Sequence, residues 1–172
     1  MTEASSRVRE HHYHVDPEFK HKLLKMPGGE SFKLCYQCGI CTATCPIARF
    51  TESFRPNRLV HMAKLGIREV VKEDAVWLCS VCYNCVEKCP QGVEITDVIR
   101  VLKNKAALEG CVPAYFKGLA ENILKTGLAY TIPASRLAGH EARGLPPLPN
   151  ANCEDLRKLA VVTHLGESLG KG

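Results

Sequence analysis

Apolar residues in this chain recur three and four positions apart, in short runs broken by Gly and Pro, and nowhere alternate with period two. That pattern predicts short helices and no sheet. Asp16-Pro17 opens the first, with Asp as N-cap and Pro at the first helical position. Phe19, Leu23 and Leu24 form its apolar side, and Gly28-Gly29 stops it. Arg55-Pro56 leads into a second, with Leu59, Val60, Met62 and Ala63 on one face and Gly66 as the residue after its C-cap. Residues 67–72 make a further turn carrying Val70 and Val71, and Asp74 is placed to cap a turn over 75–78. Thr96 is placed to cap a helix over 97–109, with Val98, Ile99, Val101, Leu102, Ala106 and Leu108 available for burial and Gly110 at its end. Asp97 in the first turn of that helix suits its dipole. Pro113 starts the next, to about residue 125, with Tyr115, Phe116, Leu119, Ile123 and Leu124, closed by Gly127. Residues 145–152 read as an extended linker. Asn152 or Cys153 then opens a last helix with Leu156, Leu159, Val162 and Leu165, and residues 170–172 fray.

The cysteines are not scattered through this pattern. They stand at 35, 38, 41 and 45, then at 79, 82, 85 and 89, each group followed by proline, with Cys111 and Cys153 apart. Both groups read C-x2-C-x2-C-x3-C-P, and one offset of 44 residues relates all four cysteines and the proline. The chain therefore contains one repeat. Three thiolates two residues apart can wrap one corner of a cubane cluster in a short turn, and the fourth lies further on, before a proline that turns the chain away. In two-cluster ferredoxins that fourth cysteine serves the other cluster. The expected ligand sets are Cys35, Cys38, Cys41 with Cys89, and Cys79, Cys82, Cys85 with Cys45, holding two [4Fe–4S] clusters. Zinc is the competing reading, since eight cysteines could close two four-thiolate sites and leave a zinc-stapled interaction module. The triple followed by C-P, present twice, is the pattern of iron–sulfur binding. With no alternating strands to flank the motifs, a helical cluster module is expected instead of a β-rich ferredoxin.

Composition narrows the function classes. The chain has 172 residues, the size of one domain, and a formal charge of +5 without a block of like charges, which does not suggest nucleic-acid binding. No apolar run reaches the 18 or more residues of a membrane span. Residues 1–33 mix charges and lack the apolar stretch of a secretory signal, so a cytoplasmic, reducing environment is expected, in which disulfides are disfavoured. G-x-S-x-G, Walker A, G-x-G-x-x-G and H-E-x-x-H are all missing from the sequence, so electron carriage without substrate chemistry is expected.

Other residues have plainer readings. His11, His12 and His14 sit in an arm over residues 1–16 and read as solvated. Tyr36 and Tyr83 follow motif cysteines and could shield clusters from water or simply pack. Ile40, Val81 and Val86 are expected as apolar cover, Trp77 as a core anchor, and Cys111 and Cys153 as buried thiols. Residues 17–110 form the expected cluster module. Residues 111–172, split by Pro and Gly, read as a docking extension or as a satellite layer closing the same domain.

The runs Cys35-Tyr36-Gln37-Cys38-Gly39-Ile40-Cys41, Trp77-Leu78-Cys79-Ser80-Val81-Cys82-Tyr83-Asn84-Cys85 and Cys89-Pro90-Gln91-Gly92-Val93 resemble the C subunit of heterodisulfide reductase. So do Lys103-Asn104-Lys105-Ala106-Ala107, Lys125-Thr126-Gly127 and Gly144-Leu145-Pro146-Pro147, and the resemblance covers residues 35–150 or so. It implies an α-helical ferredoxin fold with two [4Fe–4S] clusters. The small C subunit would relay electrons between a flavin-containing A subunit and a B subunit with cysteine-rich CCG domains and the catalytic noncubane cluster. No C-C-G motif occurs here, in keeping with relay. The stretch from Ile47 to Phe54 departs from the methanogen pattern, which favours a heterodisulfide reductase-like complex of the kind associated with sulfur oxidation. A free, diffusible ferredoxin-like carrier is the alternative, and the long tail beyond the motifs speaks against it.

Overall fold

The computed structural model describes residues 13–147 and 153–165. Among them every regular element is a helix or a 3-10 turn, with a single antiparallel bridge between Val15 and Ile67 and no strand. It divides into two units, residues 1–105 and 106–172.

In the first unit, helix α1 spans Pro17–Lys25. The Asp16 carboxylate accepts the Glu18 N–H at 2.9 Å and Pro17 occupies the first position. Phe19 and Leu23 are buried. A 3-10 turn over Glu30–Leu34 carries Phe32 into the core and delivers Cys35. The short helix α2, Ile40–Ala43, lies inside the first cysteine motif. Helix α3, Pro56–Leu65, buries Leu59, Val60, Met62 and Ala63. Two 3-10 turns, Arg68–Lys72 and Asp74–Leu78, add Val70, Val71 and Val76 to the core and lead into Cys79. Helix α4, Asn84–Glu87, lies inside the second motif. The long helix α5, Ile95–Leu108, which has all but its last residues in this unit, buries Val98, Ile99, Val101 and Leu102 here.

Three expectations need correction. The arm expected over residues 1–16 is fixed at its last residues. Asp16 N–H donates to the Gly66 carbonyl at 2.8 Å, Val15 bridges Ile67, and His14 N–H reaches Glu69 Oε1 at 3.4 Å. His11 and His12 lie outside the described residues. Asp74 does not cap its turn through its side chain but belongs to it. Thr96 is likewise inside its helix, because α5 starts earlier: the Glu94 carbonyl already accepts from Val98 N–H at 3.0 Å. A threonine freed from capping can turn its hydroxyl elsewhere.

Gly66 is the glycine on which this unit most depends. It ends α3 with φ +81°, and a Cβ there would lie 2.4 Å from the Asp16 carbonyl oxygen. Gly66→Ala is expected to cost more than the ~1–2 kcal/mol of a left-handed backbone alone, because residues 15–16 must also move away. Thermal unfolding followed by circular dichroism measures it.

In the second unit, α6 runs over Ala114–Thr126 between Pro113 and Gly127, whose φ is +73°. Helix α7, Ala134–Glu141, begins after Pro133; the sequence pattern does not announce it, since Leu137 is the one large aliphatic residue in it. Helix α8 covers Cys153–Val162 and packs on α6, with Arg157 Nε donating to the Leu124 carbonyl at 3.3 Å. Among the described residues from 111 onward, only Ala160 is buried. Residues 145–147 of the expected linker belong to no helix, and 148–152 and 170–172 lie outside the described residues.

Candidate iron–sulfur centre

The sequence repeat is also a backbone repeat. Gln37 and Val81, 44 residues apart, have φ +66° and +55°, and Gly39 and Tyr83, again 44 apart, have +81° and +62°. Helices α2 and α4 begin and end at equivalent positions, 44 residues apart, and pack on each other. Each motif thus curls through two left-handed residues and then one helical turn, so its first three thiols face one side. The second copy adopts this path with Val and Tyr where left-handed backbone is costly. The Arg100 guanidinium stands over the Tyr83 ring at 5.8 Å and donates to its hydroxyl.

Two hollows result. One is lined by Cys35, Cys38, Cys41 and Cys89 together with Ile40, Asn57 and Ile95. The other is lined by Cys45, Cys79, Cys82 and Cys85 together with Phe54, Pro56, Thr96 and Ile99. Each gathers three thiols from one motif and the fourth from the other. Ile40 is part of the first wall, as expected. Val81 and Val86 are not part of the second; the left-handed backbone at Val81 leaves its side chain exposed, and Phe54 and Ile99 supply the apolar wall. Trp77 is half-buried, and Tyr36 is exposed at the rim of the first hollow. Cys111 and Cys153 are half-buried, and Cys111 Sγ lies 3.8 Å from the Glu109 carbonyl.

The donor set suits a soft, cationic centre. Burial pushes the Cys41 thiol from 9.0 up to about 12, reinforced by Cys35 and Cys85 and opposed by hydrogen bonding at Thr42. Burial also raises Cys79 and Cys85. Four thiolates gathered side by side repel one another unless positive charge stands among them. The iron-free chain then has a defined pH response. Below about pH 9 the Cys41 thiol is protonated in folded and unfolded chains alike; above it the unfolded chain loses the proton first. Stability of iron-free protein is therefore expected to fall as pH rises from about 9 towards 12, as thermal melts at a series of pH values will register.

The sulfurs and their loops have partners that the sequence does not single out. Gln37 Nε2 donates to Cys35 Sγ at 3.2 Å, Val93 N–H to Cys89 Sγ at 3.3 Å, and the Thr96 hydroxyl lies 3.4 Å from Cys85 Sγ. Thr42 Oγ1 donates to Asn57 Oδ1 at 2.5 Å and accepts Asn57 N–H at 3.1 Å, which ties α2 to the start of α3. Lys64 Nζ donates to the Cys35 carbonyl at 2.5 Å and Lys103 Nζ to the Cys79 carbonyl at 3.2 Å. A signal for these last residues does exist. Pro56-Asn57-Arg58-Leu59-Val60 through Lys64 aligns with Ile95-Thr96-Asp97-Val98-Ile99 through Lys103 at an offset of 39, so the duplication runs on into the long helices after a spacer five residues shorter.

An all-α fold built on a duplicated four-cysteine motif, with sulfur-lined hollows, defines a helical dicluster iron–sulfur protein, and residues 31–93 match the 4Fe-4S dicluster domain family. The chain is 32% identical over 163 residues to the C subunit of the H(2):CoB-CoM heterodisulfide,ferredoxin reductase of Methanothermobacter thermautotrophicus, covering 91% of this chain and 87% of that protein. It is 33% identical over 147 residues to the iron-sulfur C subunit of the CoB–CoM heterodisulfide reductase of Methanopyrus kandleri, covering 81% and 76%. With the C subunit of the Ferredoxin:CoB-CoM heterodisulfide reductase of Methanosarcina mazei the identity is 34% over 128 residues, covering 74% and 78%. The chain belongs to the family of heterodisulfide reductase C subunits, and its role is that of an iron–sulfur electron-transfer subunit. No helix among the described residues is long and apolar enough to cross a membrane.

Proposed function

We propose that this chain holds two [4Fe–4S] clusters and relays electrons as the C subunit of a cytoplasmic heterodisulfide reductase or heterodisulfide reductase-like complex, between a flavin-containing A subunit and a CCG-domain B subunit. The ligands are Cys35, Cys38, Cys41 and Cys89 for one cluster, and Cys79, Cys82, Cys85 and Cys45 for the other. The observation that supports this reading best is the pair of hollows, each ringed by four thiols drawn three and one from the two motifs. The bound clusters would supply one-electron transfer.

The chain's own residues do the rest. Phe54, Pro56 and Ile99 on one side and Ile40 and Ile95 on the other form the apolar part of the two walls, and Cys38 and Cys82 stand at the exposed rim. Gln37, Val93 N–H and Thr96 place hydrogen bonds at Cys35, Cys89 and Cys85, which favours added negative charge there. The motif exchange, with α2 packed on α4, holds the two sites side by side. In this reading residues 17–110 are the cluster module, residues 111–172 the docking extension, and the residues before 17 an arm whose end is pinned beside Gly66.

The test is anaerobic purification with iron, acid-labile sulfide and zinc counted together, followed by co-purification with the flavin and CCG-domain partners. About eight iron and eight sulfide per chain, the content of two cubanes, and retention of both partners are expected. About two zinc and no sulfide, as closed four-thiolate sites would give, overturns the proposal. A fully loaded chain that retains neither partner leaves the free carrier as the better reading.

A further inference from the structure

Two lysines meet the backbone at Cys35 and Cys79. Lys64 and Lys103 are equivalent residues of the duplicated helices α3 and α5 at the offset of 39, while the cysteines they meet are equivalent at the offset of 44. The duplication thus keeps this contact through a change in spacer length. Each lysine is half-buried, and its ammonium donates to the main-chain carbonyl of the first cysteine of its motif, at 2.5 Å and 3.2 Å. Each reaches there from the C-terminal part of its helix. The start of the same two helices lines the hollows, through Asn57 in the first and Thr96 in the second. A lysine stem is flexible and its ammonium well hydrated. Holding one half-buried on a neutral carbonyl costs desolvation that one hydrogen bond to an uncharged group offsets only in part. The recurrence of the contact at both equivalent sites points to a use for the charge.

We propose that Lys64 and Lys103 are paired positioning residues, each pinning the first-cysteine loop of one motif to its long helix and placing one positive charge beside that motif's cluster, Lys64 for the site of Cys35 and Lys103 for the site of Cys79. The inference rests on the cluster reading above. An electron arriving at either site adds one negative charge, and an ammonium fixed at the carbonyl of a ligand stabilises that state over the oxidised one. The two charges act separately, because each helix carries its lysine to its own motif. Removing one lowers the reduction potential of one site and leaves the other where it was.

The experiment uses the full chain with its clusters in place. Lys64→Met and Lys103→Met keep the length of the stem and remove the charge; Lys64→Arg and Lys103→Arg keep the charge. The readouts are iron and sulfide content and a redox titration followed by electron paramagnetic resonance, none of which depends on turnover. For each Met variant, the ratio of reduced to oxidised cluster at one site is expected to fall about tenfold at a fixed poise, about 59 mV for a one-electron couple. The second site should not move, and the Arg variants should titrate as the original. Full iron with both potentials unchanged in the Met variants overturns the proposal while leaving the cluster reading intact. A Met variant that loses its cluster supports the pinning role if the Arg variant retains iron and potential, and counts against it if the Arg variant loses the cluster too. Failure of the unsubstituted chain to hold iron is the separate outcome that removes the cluster reading itself.

Discussion

Replacing Cys89 by alanine is expected to remove about four of about eight irons, and the cluster that disappears is the one belonging to Cys35, Cys38 and Cys41. The reason is the exchange between motifs. Cys89 follows α4 in the second motif, yet it lines the hollow of the first. Cys45 follows α2 and lines the hollow of the second. Single substitutions alone cannot reveal this, since any lost ligand removes one cluster. Pairs can. Cys35→Ala with Cys89→Ala strikes one site twice and should leave about four irons, as either single change does. Cys79→Ala with Cys89→Ala strikes both sites and should leave almost none. Without the exchange the two results would be reversed. Iron and sulfide analysis of these proteins, with electron paramagnetic resonance to identify the surviving cluster, decides it. A residual content near that of one cubane in the Cys79/Cys89 pair would sink the ligand assignment.

How much of this site can be read from the sequence depends on how local each feature is. The cysteine spacing is local, and the backbone it demands repeats faithfully at Gln37 and Val81 and at Gly39 and Tyr83. The helix boundaries at Asp16-Pro17, Gly66 and Gly127 rest on cap chemistry confined to a few residues, and they stand as expected. Thr96 is different. A threonine ahead of an apolar helical run reads as a cap, but the turn at Val93-Glu94 starts α5 earlier and buries Thr96 to 1% exposure against Cys85. Val81 misleads for a similar reason: a β-branched residue between ligands reads as cover, and the left-handed backbone turns it out. Lys64 and Lys103 are legible only once the helices are seen to be duplicated at a second offset, because the first offset fails after the prolines. Features fixed by neighbours in sequence can be read directly; those fixed by the packing of one motif on the other cannot.

Changing Leu159 and Val162 together to aspartate is expected to release the chain from its partners in the complex while its clusters stay in place. The two residues stand three apart on α8 and so share a face. They are 60% and 76% exposed. On the opposite side Ala160 is buried, and Arg157 fixes α8 to the Leu124 carbonyl at the end of α6. The helix therefore has an inner side that orders it within its unit and an outer apolar side that the described residues leave uncovered. Tyr115 on α6 and Tyr130 extend the aromatic content of this unit, exposed and joined by their hydroxyls at 3.1 Å. A chain built to diffuse freely has no use for such a face, and water makes it costly: each large aliphatic side chain left uncovered forgoes roughly 1.5–3 kcal/mol of burial. A chain that docks recovers it. Two carboxylates on that face must be desolvated on docking, a penalty of several kcal/mol per unpaired charge, enough to lower affinity by at least about a hundredfold. Because the substitutions touch neither motif, iron, sulfide and the visible spectrum of the clusters should match those of the unaltered chain. The measurement is co-purification of tagged chain with the proposed flavin and CCG-domain partners, with iron analysis on the same sample. Undiminished recovery of both partners by the doubly substituted chain would remove α8 from the docking surface and leave residues 111–172 as a layer of the same domain.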